Sequence, residues 1–330
     1  MVLDTLLTVA RDLMKFFTIT LLAVTAVSLG LRGQAAPAEP KAQRAVLVTG
    51  ASSGIGRKTA ELLAQNGFYV YATARKDDDL KALAAIPNVQ ALRLDVTSQE
   101  QIDAAVKTVQ EGGRGLYGLI NNAGVAVLAP LIEVSEKDLA FQFDANVYGP
   151  YRLTKAFAPL LIASKGRVMT TGSISGIVTW AMGGPYTMSK HAVEAFTDTL
   201  ALEMQPFGVH VGVVEPGNYR SEIMTNMRER LAKGGYGGEG SRYQRQLDRL
   251  LTQPTDRGQY KEPDEVAAAF LQALTETSPK RRYMVVPNQR EAELTIRAAV
   301  ARVVQLNASQ PYTYDREALI KLLDEELQKK

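Results

Sequence analysis

Thr49-Gly50-Ala51-Ser52-Ser53-Gly54-Ile55-Gly56 lies between a short apolar run, Ala45–Val48, and a helical pattern from Ile55 to Asn66 that Gly67 stops. The apolar run reads as a buried strand, so the eight residues form a strand-to-helix turn. Glycine lets the backbone turn sharply and come close to a phosphate. The helix that follows offers free N–H groups and the positive end of its dipole to an anion. The spacing is Gly-x-x-x-Gly-x-Gly, not the Gly-x-Gly-x-x-Gly of many dinucleotide-binding sheets. Taken alone, such a turn also fits an ordinary tight strand–helix connection, so its context decides.

Outward from the turn, strands and helices alternate. Further strands are expected at Tyr69–Ala74, Val89–Leu94, Gly118–Asn121, Arg167–Thr171, Val209–Val214 and Tyr283–Val286. Between them lie helical patterns at Leu80–Ala85, Ser98–Glu111, Glu136–Ser164 (interrupted at Gly149-Pro150) and Tyr186–Met204. Ser98-Gln99-Glu100-Gln101 is a capping signal. Helices of ten or more residues between strands are crossovers, and crossovers make a parallel sheet covered on both faces. The expected fold is therefore α/β: a doubly wound, mostly parallel, seven-stranded sheet. No repeat of solenoid or propeller period occurs.

Composition narrows the function. The 330 residues would allow two domains at roughly 150 residues each. The alternation instead makes residues 45–330 one domain, with a C-terminal extension from about residue 288. The 38 basic and 35 acidic residues leave a net charge of +3, too balanced to suggest nucleic-acid binding. There is no cysteine, which excludes a disulfide scaffold, a thiol nucleophile and Cys-ligated metal. His191 and His210 are the only histidines, so a histidine metal cluster is not expected either.

The turn and the strand ends together resemble the short-chain dehydrogenase/reductase family. Asp95-Val96 follows the third strand, Asn121-Asn122-Ala123-Gly124 the fourth and Ser173 the fifth. Asn146 stands in Asn-Val-Tyr-Gly, Tyr186-Thr-Met-Ser-Lys190 opens a helix, and Pro216-Gly217 follows the sixth strand. The ordered set spans about Ala45 to Val286. The resemblance implies a Rossmann-like sheet, a nicotinamide cofactor and hydride transfer between a carbonyl and an alcohol. It implies cofactor contacts at Gly50, Ser52, Ser53, Gly54, Ile55, Gly56, Asp95, Val96, Asn122, Ala123, Gly124, Pro216, Gly217 and Ser221, with no metal. Ser221 stands where many relatives have threonine. A homodimer or homotetramer through the helices of Glu136–Ser164 and Tyr186–Met204 is expected by resemblance.

Charge speaks to the choice of cofactor. An acidic residue at the end of the second strand binds the ribose 2′-hydroxyl of NAD and repels a 2′-phosphate. Here Ala74 is followed by Arg75 and Lys76, so the carboxylate is missing and a guanidinium suited to phosphate is present. NADP(H) is expected over NAD(H). Some NADP-preferring relatives also carry a basic residue just before the second glycine; Ser53 holds that place.

Tyr186 and Lys190 are four apart on one helix and share a face. A phenol near ~10 is a poor proton-transfer group at neutral pH, and an adjacent ammonium favours its phenolate. Tyr186 is thus the expected general acid for ketone reduction and base for alcohol oxidation. By resemblance, Lys190 also holds the nicotinamide ribose, Ser173 bonds the substrate oxygen, and Asn146 holds a helix bend and a water that links Lys190 to solvent. Ser175 is a possible second contact. Both histidines read as structural.

Val125, Val127, Leu128, Ile177, Trp180, Met182, Ile223, Met224, Met227 and Leu231, with the glycines at 234–240, suggest an apolar pocket under a mobile cover. The expected substrate is an apolar ketone, aldehyde or alcohol, and Pro185–Glu215 looks most like members acting on steroids or retinoids. The tail Asp315–Lys330 has leucines at helical spacing that could cover the substrate mouth or pack on a partner. Residues 1–44 form a separate segment. Phe16–Leu31 is uncharged and mostly apolar, readable as a membrane anchor, a cleaved export signal or a packed helix. NADP(H) is a cytosolic reductant, so an anchored chain would face its catalytic domain to the cytoplasm; export after signal cleavage is the other reading. Two further classes share this frame, a cofactor sensor without chemistry and a membrane-tethered interaction protein.

Overall fold

A computed structural model describes residues 43–329, apart from 234, 235, 237–239, 253–257 and 309. Contacts divide the chain into residues 1–42 and 43–330. The first unit, with the apolar run Phe16–Leu31, lies outside the described residues. Among the described residues, no helix is long and apolar enough to cross a membrane.

Seven strands form one sheet: β1 Ala45–Val48, β2 Tyr69–Ala74, β3 Val89–Arg93, β4 Gly118–Asn121, β5 Arg167–Thr171, β6 His210–Pro216 and β7 Arg282–Val285. Their order is β3-β2-β1-β4-β5-β6-β7, and every pair is parallel. The expected mostly parallel sheet is thus wholly parallel. The four residues of β1 are fully buried, as a strand covered on both faces must be. Helices are α1 Gly54–Gln65, α2 Asp77–Ala84, α3 Gln99–Glu111, α4 Glu136–Phe143, α5 Gly149–Ala163, α6 Gly184–Met204, α7 Ile223–Lys233, α8 Gln244–Thr252, α9 Asp264–Thr275, α10 Gln289–Ala308 and α11 Arg316–Gln328. One face of the sheet packs on α1 and α9 through Leu63, Val266, Phe270 and Leu274. The other packs on α3, α5 and α6 through Ile102, Leu153, Phe157, Leu161 and Met204.

The chain runs β1, β2, β3 to one edge, then returns to place β4 on the other side of β1. Loops leaving β1 and β4 therefore part in opposite directions and open a crevice at the carboxyl ends of the strands. Thr49 bridges its floor: its N–H donates to Ile120 O at 3.0 Å, and its hydroxyl accepts from Asn122 N and Ala123 N, each at 2.9 Å.

Two local signals play out differently from their sequence reading. Ser98 caps α3 by accepting from Gln101 N. The reciprocal arm of the capping box is not made; Gln101 Oε1 accepts from Asp95 N at 2.8 Å and so fixes the residue that ends at the crevice. The long helical region 136–164 is interrupted before Gly149-Pro150, by a π-helical turn at Asp144–Tyr148 that contains Asn146. Such wide turns commonly mark functional sites.

The C-terminal extension is part of the fold. Glu291, in the first turn of α10, accepts from Asn218 N at 2.8 Å and holds the loop after β6. Asn307 closes the turn into α11, donating to Tyr314 O at 2.9 Å and accepting from Tyr314 N at 2.8 Å.

Candidate active site

A cavity of about 620 Å³ opens at the crevice. It is lined by every residue singled out above for cofactor or catalysis: Gly50, Ser52, Ser53, Gly54, Ile55, Gly56, Arg75, Asp95, Val96, Asn122, Ala123, Gly124, Asn146, Ser173, Tyr186, Lys190, Pro216, Gly217 and Ser221. These come from the ends of six strands, from α1 and α6, and from the π-helical turn, so only the fold brings them together.

The glycine turn is shaped for close approach. Gly50 and Gly54 have φ of +64° and +53°, in the left-handed region. A Cβ at Gly56 would lie 2.3 Å from Gly50 O and 2.4 Å from Asn122 Nδ2, so no side chain fits there. Asn122 pins the turn, donating to Thr49 O at 2.9 Å and Gly50 O at 3.2 Å while accepting from Thr171 Oγ1 at 3.1 Å. Ser53 is the N-cap of α1 but makes no side-chain cap bond. The first N–H groups of α1 thus face the cavity without a serine oxygen in their way, and they suit an anion.

Arg75, at the end of β2, is mostly exposed and lies 3.5 Å from Asp95. Burial pushes the Asp95 carboxyl up, but bonds from the Thr97 N–H and hydroxyl, with Arg75 beside it, outweigh this and hold it below the ordinary aspartate value. Asp95 is ionised at neutral pH and faces the Arg75 guanidinium.

Tyr186 and Lys190 stand one turn apart near the start of α6. Lys190 Nζ lies 5.7 Å from the Tyr186 ring centre, and the Trp180 ring centre is 6.1 Å from the Tyr186 ring. Lys190 is buried and donates to Thr171 O at 2.7 Å. Burial pushes it down to about 8, opposed by the Glu194 carboxylate. It remains a cation at neutral pH. Ser173 Oγ accepts from Ser175 N at 3.1 Å, and Ser175 Oγ lies 3.1 Å away, so both hydroxyls belong to one turn at the end of β5.

Asn146 faces the cavity, but its side chain is committed. It accepts from Val125 N at 2.8 Å and donates to Val125 O at 3.0 Å and Ser189 Oγ at 3.1 Å. Gln142, one turn earlier, accepts from Val127 N at 2.6 Å and donates to Val125 O at 2.9 Å and Ser189 Oγ at 3.2 Å. Ser189 in turn donates to Tyr186 O at 2.7 Å. This buried network clamps residues 125–127 to α6. Gln142 and Ser189 escaped the sequence reading, although Gln142 precedes Asn146 by one helical turn and Ser189 adjoins Lys190.

The apolar end corrects several expectations. Val125, Leu128, Trp180, Ile223, Met224 and Met227 line the cavity, whereas Val127, Ile177, Met182 and Leu231 do not. Gln142 holds the Val127 peptide, leaving Ala126 and Leu128 to face inward. Met182 has φ of +69°, and its carbonyl accepts from Ala129 N at 3.0 Å. Phe141, Leu250 and Leu294 complete the apolar wall. Leu294 comes from α10; α11 has no buried residue. Of the glycines at 234–240, only Gly240 is described. His191 Nδ1 lies 2.9 Å from Thr187 O and His210 Nε2 3.1 Å from Lys280 O, both outside the cavity.

The sheet order, the glycine turn and the Tyr–Lys turn define a nucleotide-binding oxidoreductase architecture, and comparison with known proteins assigns the lineage. Residues 44–232 match the family model for short chain dehydrogenases, and the chain belongs to the short-chain dehydrogenase/reductase family. It is 36% identical over 258 residues to an NADPH-dependent 3-dehydrocapnine reductase from Ornithobacterium rhinotracheale, covering 74% of this chain and 89% of that one. It is 33% identical over 280 residues to the mitochondrial D-beta-hydroxybutyrate dehydrogenase of Bos taurus, covering 78% and 81%. A crystal structure of a family member from Burkholderia phymatum in complex with NAD superposes with a TM-score of 0.66 at 26% identity, covering 82% of this chain and 98% of that one. The chain is an NAD(P)-dependent oxidoreductase acting on alcohols and carbonyls.

Proposed function

We propose that the protein interconverts an apolar ketone or aldehyde and its alcohol with NADP(H), using Tyr186 as the general acid and base. The observation that carries this is the opening of Tyr186, Lys190 and Ser173 onto one cavity whose other end is the uncapped glycine turn. The left-handed glycines, the absent side chain at Gly56 and the free α1 N–H groups fit a pyrophosphate, and Arg75 beyond Ala74 fits a 2′-phosphate. When bound, the nicotinamide supplies or accepts the hydride. Tyr186 donates its phenolic proton to the carbonyl oxygen during reduction and takes it back during oxidation. The Lys190 ammonium stabilises the phenolate, and the Ser173 hydroxyl donates to the oxygen on which charge builds. Asn146 holds the π-helical turn and the Val125 segment; its water link to Lys190 belongs to the same reading.

The two relatives are named for different substrates, so the substrate class rests on this chain's own wall. Leu128, Phe141, Ile223, Met224, Met227 and Leu250 present apolar surface beside Tyr186. A membrane anchor at Phe16–Leu31, a catalytic domain facing the cytoplasm and a homo-oligomer remain part of the proposal. A panel of ketones and aldehydes with NADPH, including steroids, retinal and acetoacetyl thioesters, tests the reading by loss of cofactor absorbance. Within a homologous ketone series, each added methylene should raise kcat/KM by roughly fourfold, from ~0.8 kcal/mol per buried methylene. A preference for small polar ketones would contradict the apolar pocket.

A further inference from the structure

Behind Ser173 and Lys190 lies a group of buried charges that the proposed chemistry does not use. Glu194 follows Lys190 by one turn of α6 and sits against the turn that carries Ser173. A Cβ built on Gly172 would lie 3.1 Å from Glu194 Oε1, and one built on Gly176 3.0 Å from it. The two glycines around Ser173 thus leave the space that this carboxyl fills. Glu215, near the end of β6, is 2% exposed and shares its strand face with Val211, which packs with α6. The Cβ position at Gly172 that Glu194 Oε1 approaches also lies 3.4 Å from the carbonyl oxygen of Val214, the residue before Glu215. Glu215 directly precedes Pro216, whose carbonyl lies 3.5 Å from Ser173 Oγ. Arg282 of β7 approaches Glu194 at 3.1 Å and Asp198 at 2.7 Å, and Arg281 lies 3.9 Å from Asp198. The charged groups around the pair are therefore Lys190 and Asp198 on α6, with Arg281 and Arg282 on the side of β7. One oxygen of each glutamate has no hydrogen-bond partner.

Two carboxylates crowded into one buried neighbourhood oppose each other's ionisation. A proton between them would also supply the donor that their unpaired oxygens lack. We propose that Glu194 and Glu215 share one proton and that the negative charge left on the pair positions Lys190 as a cation beside Tyr186 and Ser173. The proposal rests on the catalytic reading of Lys190 given above. Directions agree with it: burial and then Glu194 push Glu215 up to about 7, and Glu194 itself is raised, first by burial.

The pair makes opposite demands on its two variants. Glu194→Gln removes the negative neighbour of Lys190, so the lysine loses its proton more easily. Glu215→Gln leaves Glu194 unshared and more fully ionised, so the lysine holds its proton more tightly. The alkaline limb of kcat/KM for carbonyl reduction should move down in Glu194→Gln and up in Glu215→Gln, each on the order of one pH unit. A purely structural role would move neither limb. Limbs that stay put, or that move in the same direction, would overturn the proposal. Infrared titration of the unliganded wild-type chain tests the shared proton without any substrate. A protonated-carboxyl band should persist to near neutral pH, and it should titrate at lower pH in each glutamine variant. Complete ionisation of the wild-type carboxyls by mildly acidic pH would sink the shared proton even if neither variant folds. Absence of wild-type turnover on every carbonyl would count against the proposed function alone, and the infrared result would still decide the pair.

Discussion

The Arg75 guanidinium stands at the end of β2 with Asp95 3.5 Å away and most of its surface in solvent. Asp95 already draws on its charge, so a 2′-phosphate there would be the second of two anions bound by one fork. Reversing the charge should reverse the preference. Arg75→Asp should lower kcat/KM with NADPH relative to NADH by at least about tenfold, roughly 1.4 kcal/mol. An unchanged ratio between the two cofactors would remove Arg75 from the account. At this scale much of the site was legible. Gly50, Gly54 and Gly56 answer local backbone demands, and Tyr186 and Lys190 depend only on helical spacing. Glu194 and Glu215 were not legible, because their meaning lies in meeting each other across α6 and β6.

Among the elements, the π-helical turn between α4 and α5 governs the geometry near Tyr186. It carries Asn146, which joins Gln142 of α4 on the same short segment, residues 125–127, and on Ser189. Gln142 and Ser189 are fully buried, so loss of one partner leaves donors unsatisfied rather than solvated. Gln142→Leu should destabilise the protein by roughly 2–4 kcal/mol, read as a drop in Tm of several degrees. Unchanged thermal stability would show that the clamp is not needed. The strands were readable because their apolar runs are short and bounded by turn residues. Helices α9 and α10 were not. Half of the face α9 buries is alanine, beside Val266, Phe270 and Leu274. Along α10 only Thr295 is buried, and Leu294, Val300 and Val304 are exposed, so no single apolar stripe marks it.

For the molecule as a whole, buried ionisable groups tie stability to pH. Folding raises the Glu215 pKa from the ordinary glutamate value of 4.5 to about 7, chiefly through burial. The folded state then binds more protons than the unfolded state between those two values. Its contribution is fully present below about 4.5, declines as pH rises to about 7, and is constant beyond. Thermal denaturation between pH 5 and pH 8 should show this loss, and Glu215→Gln should flatten it. An identical pH dependence in the variant would contradict the assignment. The chain's length also takes on a physical meaning at this scale. Residues 43–330 form one contact unit in which α10 is fastened to the loop after β6 and adds Leu294 to the cavity wall.

The most direct test of the central claim compares wild type and Tyr186→Phe with NADPH and the best carbonyl from the panel. Cofactor affinity should survive, because the glycine turn and Lys190 are untouched. Turnover should fall by about 10²–10⁴-fold as the proton donor is lost. A Tyr186→Phe variant that binds NADPH normally and turns over within a few fold of wild type would show that the proton comes from elsewhere.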